Sequence, residues 1–314
     1  MQIMSKIKEF IKNISPLNNR TEMPVILYVI KVVIIFWFVK FVSELIGEGI
    51  VIGLLFACGK NPLEGEMFAP EIMVLIMYFG YGILTGIVLL YWKLIQKKTL
   101  AQLGFKGNIG KYLAGALIGA ALVTVSTVLT VLTGAITCNG IFESIDYVHI
   151  LLMLCGFVFQ GAMEEVLCRG IVLQLLKDRT PIWVAVGAGT VMFTIPHLGS
   201  MAGASTGILI FALINLVLIS VIFSVLTLRS GSILPACGFH TFWNFLLYNI
   251  LGLNLSGIDT KTAAVFDMRS VGDNILNGGM YGIEASVVTA AVLAAGLILM
   301  TGMFDKKGRS ANGI

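Results

Sequence analysis

Charged residues are scarce in this chain. Asp, Glu, Lys and Arg make up 12% of its 314 residues, whereas apolar residues make up 57%. A soluble domain carries roughly twice that share of charge, so the composition excludes an ordinary soluble protein and predicts one that crosses a membrane several times. The net charge of +4 is small, and basic loops facing anionic lipid headgroups explain it without nucleic acid as a partner.

Several motifs are also missing. The five cysteines lack CxxC spacing, so the sequence predicts neither a disulfide framework nor a zinc ribbon, and they are expected to pack in the bundle. HExxH is absent, and so is any internal repeat of the kind that transporters built from two halves show. A cleavable signal is not expected, because the polar stretch before the first apolar run includes Glu9 and Glu22.

Apolar runs of the roughly 20 residues needed to cross the hydrocarbon core recur along the whole chain. They predict an all-α, polytopic membrane helix bundle of about eight transmembrane helices. The predicted spans are 25–57, 72–92, 112–136, 148–176, 182–197, 205–228, 232–251 and 283–303.

Lys and Arg concentrate at one side of these spans, which predicts that both termini lie in the cytoplasm. The expected organisation is a cytoplasmic N-terminal arm at 1–24, a single transmembrane bundle at 25–303 and a cytoplasmic tail at 304–314. The catalytic core is expected at about 147–251. The connection 252–282 contains Gly, Asn and charged residues, and is expected to cap the outer face or to dip back into the bundle.

Three polar clusters interrupt the apolar runs, and each pairs residues four apart. Such residues lie one turn apart on the same helix face. At about 1.5 Å per residue, counting from the predicted cytoplasmic helix ends places the polar residues of all three helices roughly 14 to 24 Å deep, so one shared site is predicted. The clusters are Glu164, Glu165 and Arg169, then Phe193 and His197, then His240 and Asn244.

Ionisable side chains at this depth cost several kcal/mol and are seldom kept without a use. A glutamate beside a histidine can deprotonate water, and a second histidine with an amide can donate hydrogen bonds to the oxyanion formed when water attacks a carbonyl. These residue types therefore indicate peptide hydrolysis. Pro196 is expected to kink or end the fifth helix beside His197.

At these positions the chain resembles the CAAX protease and bacteriocin-processing family of intramembrane proteases, the Abi family, which includes the type II CAAX prenyl endopeptidases. The family signature is EExxxR, FxxxH and HxxxN in that order, on separate helices of an eight-helix bundle. The stretch 100–105 also looks like the family's segment before its core. The resemblance implies that Glu164 activates water with His197, that His240 and Asn244 stabilise the oxyanion, and that Glu165 and Arg169 support them.

Other interpretations of the same residues stay open. Glu165 and Arg169 also fit a structural ion pair, and the clusters together fit satisfied polar groups that lock helix packing. Cys168 raises the question of a cysteine nucleophile, although no feature favours a thiolate there. The main interpretation needs no cofactor. The alternative is a metalloprotease in which Glu164, His197 and His240 hold zinc or another divalent metal.

The sequence thus predicts an intramembrane endopeptidase of the prokaryotic plasma membrane, with the lipid bilayer as its surroundings. Its expected substrate is a membrane-anchored peptide or protein, such as a prenylated CAAX tail or a bacteriocin-related precursor. The alternatives are a non-enzymatic scaffold or immunity protein of the same fold, and a proton-coupled transporter. The oligomeric state is not predicted.

Overall fold

The computed structural model describes residues 2–258 and 263–311, with side chains over 4–258 and 263–302. The predicted tail at 304–314 therefore lies outside the described side chains. Nine longer helices in the described chain are α1 Gln2–Ile14, α2 Val25–Ala57, α3 Pro70–Leu94, α4 Ile109–Leu132, α5 Tyr147–Leu176, α6 Ile182–Thr194, α7 Thr206–Ser230, α8 Leu234–Phe245 and α9 Val287–Ala311. Short turns of helix form at Pro62–Glu64, Leu100–Leu103, Gly279–Tyr281 and Ile283–Ala285.

The predicted all-α membrane helix bundle is confirmed, and α2 has the bounds that the apolar run predicts. The predicted number of eight spans is not confirmed. Six helices in the described chain, α2 to α7, are long and apolar enough to cross a membrane. For α6 this span includes the helical turn that follows it and runs over Ile182–Met201. The apolar part of α9 is shorter, at Val287–Gly302, and α8 has 12 residues before it continues as a π turn at Leu246–Ile250.

Three of the central helices, α5, α6 and α8, change pitch near the predicted site. Helix α5 is α-helical over Tyr147–Glu165, a π-helix over Val166–Val172 and α-helical again to Leu176. Helix α6 passes into a 3₁₀ turn at Ile195–Met201, as the position of Pro196 predicts, because proline has no N–H for an α-helical hydrogen bond. π turns inside α-helices are frequent at functional sites.

Glycines bring α4 and α8 into backbone contact. A Cβ added to Gly115 would lie 1.8 Å from the Pro235 carbonyl oxygen, and one added to Gly238 would lie 2.0 Å from the Tyr112 carbonyl oxygen. Small residues at such crossings let two membrane helices approach closely. Helix α8 carries His240 and Asn244, so this contact sets their position in the bundle.

We expect Gly115→Ala to lower the unfolding temperature of the detergent-purified protein. The added methyl group meets backbone, which cannot rotate away, and overpacking of this kind costs about 1–3 kcal/mol. The matched control is Gly86→Ala in α3, where an added Cβ meets no atom within 4 Å. Equal unfolding temperatures for the two variants would show that the α4–α8 contact is not tight.

A two-stranded antiparallel sheet, which the sequence did not predict, links two of the connections. Strand β1 is Ile136–Ile141 and β2 is Phe266–Ser270, with an irregularity in β1 after Cys138. The exposed Arg269 and the nearby Asn139 donate hydrogen bonds to Asp267. These bonds lower the pKa of the Asp267 carboxyl, and the bond from Arg269 has the larger effect. The 252–282 connection thus contributes a strand to this sheet, and its residues 255, 256 and 258 also line the central cavity.

Candidate active site

Glu165 and Arg169 form a fully buried ion pair on α5. Arg169 Nη1 lies 3.0 Å from Glu165 Oε1, and both side chains have no exposed surface. Arg169 Nη2 donates to the carbonyl oxygen and the hydroxyl of Ser220 on α7, at 2.8 and 2.6 Å. The guanidinium carbon lies 4.9 and 5.0 Å from the ring centres of Phe193 and Phe223. The arginine therefore offsets the charge of Glu165 and joins α5, α6 and α7.

His240 is oriented by the same carboxylate. Its Nδ1 lies 3.1 Å from Glu165 Oε1, and its ring stacks on Phe223 with 5.2 Å between ring centres. A carboxylate only accepts hydrogen bonds, so Nδ1 carries the proton that is shared with Glu165. Nε2 then points to the other glutamate, at 3.9 Å from Glu164 Oε2. In the neutral ring, Nε2 is an acceptor.

His197 lies on the 3₁₀ turn after Pro196. Its Nδ1 lies 2.8 Å from the Phe193 carbonyl oxygen, so the ring donates its Nδ1 proton to that acceptor. Its Nε2 also lies 3.9 Å from Glu164 Oε2. The Nε2 atoms of two histidines from separate helices thus face one carboxylate oxygen.

Gln160 links Glu164 to Asn244. Its Nε2 donates to Glu164 Oε1 at 3.0 Å, and its Oε1 accepts from Asn244 Nδ2 at 2.8 Å. Glu164 Oε2, which faces the histidines, accepts no hydrogen bond from the described residues. Gln160 is not among the site residues that the sequence predicts. The sequence does place Gln160 one helical turn before Glu164, and this spacing indicates that the two side chains can contact each other.

All six predicted site residues lie together around a cavity of about 330 Å³. Glu164, His197, His240 and Asn244 line it, as do Phe193 and Cys168, while Glu165 and Arg169 lie behind its wall. The Cys168 side chain is buried.

A second, largely apolar groove of about 790 Å³ runs between α2 and α3. Exposed apolar side chains such as Ile50 and Phe79 border it. Glu44, Met77 and Tyr81 line both the groove and the cavity. The groove therefore adjoins the cavity at the side of the bundle.

A zinc ion would need its ligand atoms closer together than they are at this site. Zinc bonds of about 2.0–2.1 Å in a tetrahedral site bring neighbouring ligand atoms to about 3.3–3.4 Å of each other. Glu164 Oε2 lies 3.9 Å from both histidine nitrogens, and the described residues contain no group of three or more His, Cys, Asp or Glu placed to hold a metal. The three acceptor atoms have the right chemistry for zinc, but would have to move closer to bind it.

Glu284, which the sequence does not predict for the site, lies in the turn before α9 and lines the same cavity. Its Oε1 accepts from Trp243 Nε1 at 3.1 Å, and its Oε2 accepts from the backbone N–H and the hydroxyl of Ser256. No spacing rule connects position 284 to the three motifs, so the sequence held no signal for it.

A comparison with known families matches the part of the chain that carries the candidate site. Residues 146–246, about a third of the chain, match the family described as Type II CAAX prenyl endopeptidase Rce1-like. No curated protein and no solved structure matches the chain. The matched segment contains Gln160 and all six predicted site residues. The resemblance predicted from the motifs is thereby confirmed over residues 146–246, where this multi-pass membrane protein is similar to the Rce1-like CAAX protease family.

Proposed function

We propose that this protein is an intramembrane endopeptidase that hydrolyses a peptide bond with water activated by Glu164 and His197. The observation that carries the proposal is the position of Glu164 Oε2, at 3.9 Å from Nε2 of both His197 and His240 inside the cavity. A water molecule bound to Glu164 Oε2 can also reach His197 Nε2, because these two atoms lie only 3.9 Å apart. It can donate one proton to the carboxylate and one to a histidine nitrogen.

In the proposed reaction the water oxygen bonds to the peptide carbonyl carbon as its proton passes to Glu164. The carbonyl π electrons move to oxygen, and the oxyanion accepts hydrogen bonds from Asn244 Nδ2 and His240 Nε2. The C–N bond then breaks, and Glu164 returns its proton to the leaving amine.

The structure adds a requirement to the proposed role of His240. Its Nδ1 is already bonded to Glu165, so Nε2 can donate to an oxyanion only when the ring carries two protons. Glu165 lies where it stabilises that imidazolium, and Arg169 holds the Glu165 carboxylate in place. We infer that these two residues act through His240 and do not touch the substrate.

The substrate proposed is a membrane-presented peptide or protein, for which a prenylated CAAX tail or a bacteriocin-related precursor is the candidate. The apolar groove between α2 and α3 supports this class, because it adjoins the cavity and suits a chain that arrives from the bilayer. The proposed location is a prokaryotic plasma membrane.

A panel of membrane-presented peptides, incubated with the detergent-purified protein, tests the proposal. Cleavage of at least one peptide is expected, and chelator is expected to leave its rate unchanged, because the proposed base needs no metal. If chelator abolishes cleavage and added zinc restores it, the metal-free mechanism is wrong. The enzyme would then be a zinc protease with the metal held by Glu164, His197 and His240. No cleavage of any peptide would contradict the endopeptidase proposal and favour a scaffold.

A further inference from the structure

Residues 254–258 form a strap across one wall of the catalytic cavity. Leu255, Ser256 and Ile258 line the cavity, and two backbone hydrogen bonds between Leu255 and Ile258 close the strap into a tight turn. A further hydrogen bond joins the Gly257 N–H to the Tyr281 carbonyl oxygen. The strap lies outside the segment that matches the family, which ends at 246. The 252–282 connection, which lies outside the matched segment, therefore builds this wall of the cavity.

One carboxylate holds Ser256 in the strap. Glu284 Oε2 accepts from the Ser256 N–H at 2.7 Å and from the Ser256 hydroxyl at 2.9 Å. Ser256 has a φ of +48°, a backbone conformation that costs a non-glycine residue free energy and persists only when its surroundings hold it. Both Ser256 donors end on one Glu284 oxygen, so that carboxylate is what secures the strained residue.

Glu284 also holds the helix that carries His240 and Asn244. Its Oε1 accepts from Trp243 Nε1, and Trp243 lies next to Asn244 in the chain and stacks on Phe239. Its backbone carbonyl oxygen accepts from Asn215 of α7 at 2.8 Å. A single residue thus joins the strap, α8 and α7 at the edge of the cavity.

We propose that Glu284 is a positioning residue of the active site, and that the strap which it holds selects an apolar substrate side chain beside the scissile bond. The proposal rests on the proposed peptidase function. Leu255 and Ile258 give the strap two apolar side chains on the wall of the cavity that Glu164 and the two histidines also line. A peptide whose carbonyl meets Glu164 and the histidines in this cavity can place a neighbouring side chain against the strap.

The test uses Glu284→Gln in the full chain, reconstituted in lipid nanodiscs. A glutamine amide group has one acceptor oxygen, so it cannot accept from both Trp243 and the Ser256 backbone. Loss of a hydrogen bond to a charged group corresponds to roughly tenfold or more in an equilibrium. We expect the backbone amides of residues 254–258 to exchange with deuterium at least about tenfold faster than in the wild type. Glu143→Gln, an exposed glutamate in another connection, is the matched control and is expected to leave exchange unchanged.

Turnover supplies the second measurement, on peptides that differ in one apolar side chain, from Ala to Leu to Phe. In Glu284→Gln we expect KM to rise about tenfold with kcat changed less, and discrimination among the peptides to fall severalfold, since single methylenes are worth about tenfold in a fitted pocket. Leu255→Ala is expected to shift the preference toward larger side chains without changing exchange at Ser256. If Glu284→Gln does not fold, Ser256→Ala replaces it, because this variant removes the 2.9 Å hydrogen bond from the Ser256 hydroxyl to Glu284.

Wild-type exchange rates in Glu284→Gln would overturn the proposal, and so would a loss of kcat with unchanged KM and unchanged selectivity. If the wild type cleaves no peptide, only the proposed peptidase function is contradicted. The exchange measurement needs no turnover, so it still decides whether Glu284 holds the strap.

Discussion

Replacing Glu164 with glutamine is expected to lower the rate of peptide cleavage by about 10³-fold while leaving the protein folded. The amide has the shape of the carboxylate, and its oxygen can still accept from Gln160 Nε2. It cannot accept a proton from water, and general base catalysis of this kind contributes about 10²–10⁴-fold. Initial rates at saturating peptide, together with the unfolding temperature in detergent, measure the two parts of the prediction.

The matched control for Glu164→Gln is Glu71→Gln, because Glu71 is an exposed glutamate in the first turn of α3 and does not line the cavity. It removes the same charge and is expected to keep the wild-type rate. Cleavage that continues in Glu164→Gln at the wild-type rate would show that another group activates the water. A lost rate with a lowered unfolding temperature would instead show damage to the bundle.

Replacing Arg169 with alanine is expected to have the largest effect on stability. Glu165 would keep its charge with no exposed surface and without its cation, and breaking one side of such a buried pair costs about 3–5 kcal/mol. The variant also loses the contacts of the guanidinium with Phe193 and Phe223. Unfolding temperature and the yield of monodisperse protein in detergent measure the effect.

Arg269→Ala is the comparison for this stability prediction. Arg269 pairs with Asp267, but 69% of its side chain is exposed, and water replaces the lost partner. No change in unfolding temperature is expected. A variant with both Glu165→Met and Arg169→Met is expected to recover part of the stability that Arg169→Ala loses, since no unpaired charge stays buried. If Arg169→Ala behaves like Arg269→Ala, the buried pair does not stabilise the bundle.

Much of this architecture is predictable because the bilayer imposes one strong rule on the sequence. A helix that crosses lipid must be apolar for about 20 residues, so the runs themselves locate the helices. The run at 25–57 gives the bounds of α2, and the contact between Glu165 and Arg169 follows from their spacing of four. The convergence of His197 and His240 on Glu164 also agrees with the depths counted from the predicted helix ends.

Features that depend on contacts between distant segments were not predictable. Strands β1 and β2 are five or six residues long and lie about 125 residues apart, so neither carries a pattern that identifies the other. Glu284 reaches the cavity only because its connection folds back against α7 and α8. The π turn at Val166–Val172 has no residue signature that separates it from the α-helix around it.

Gln160 has a consequence for how variants of the site combine. One amide side chain carries the hydrogen bond to Glu164 at one end and that from Asn244 at the other. Substitutions at residues joined in this way have effects on the activation free energy that do not add, because changing one residue alters the hydrogen bonds of the next. A variant that lacks both Glu164 and Asn244 should therefore lose less activity than the product of the two single losses. The proposed base and the proposed oxyanion donor respond to substitution as one unit.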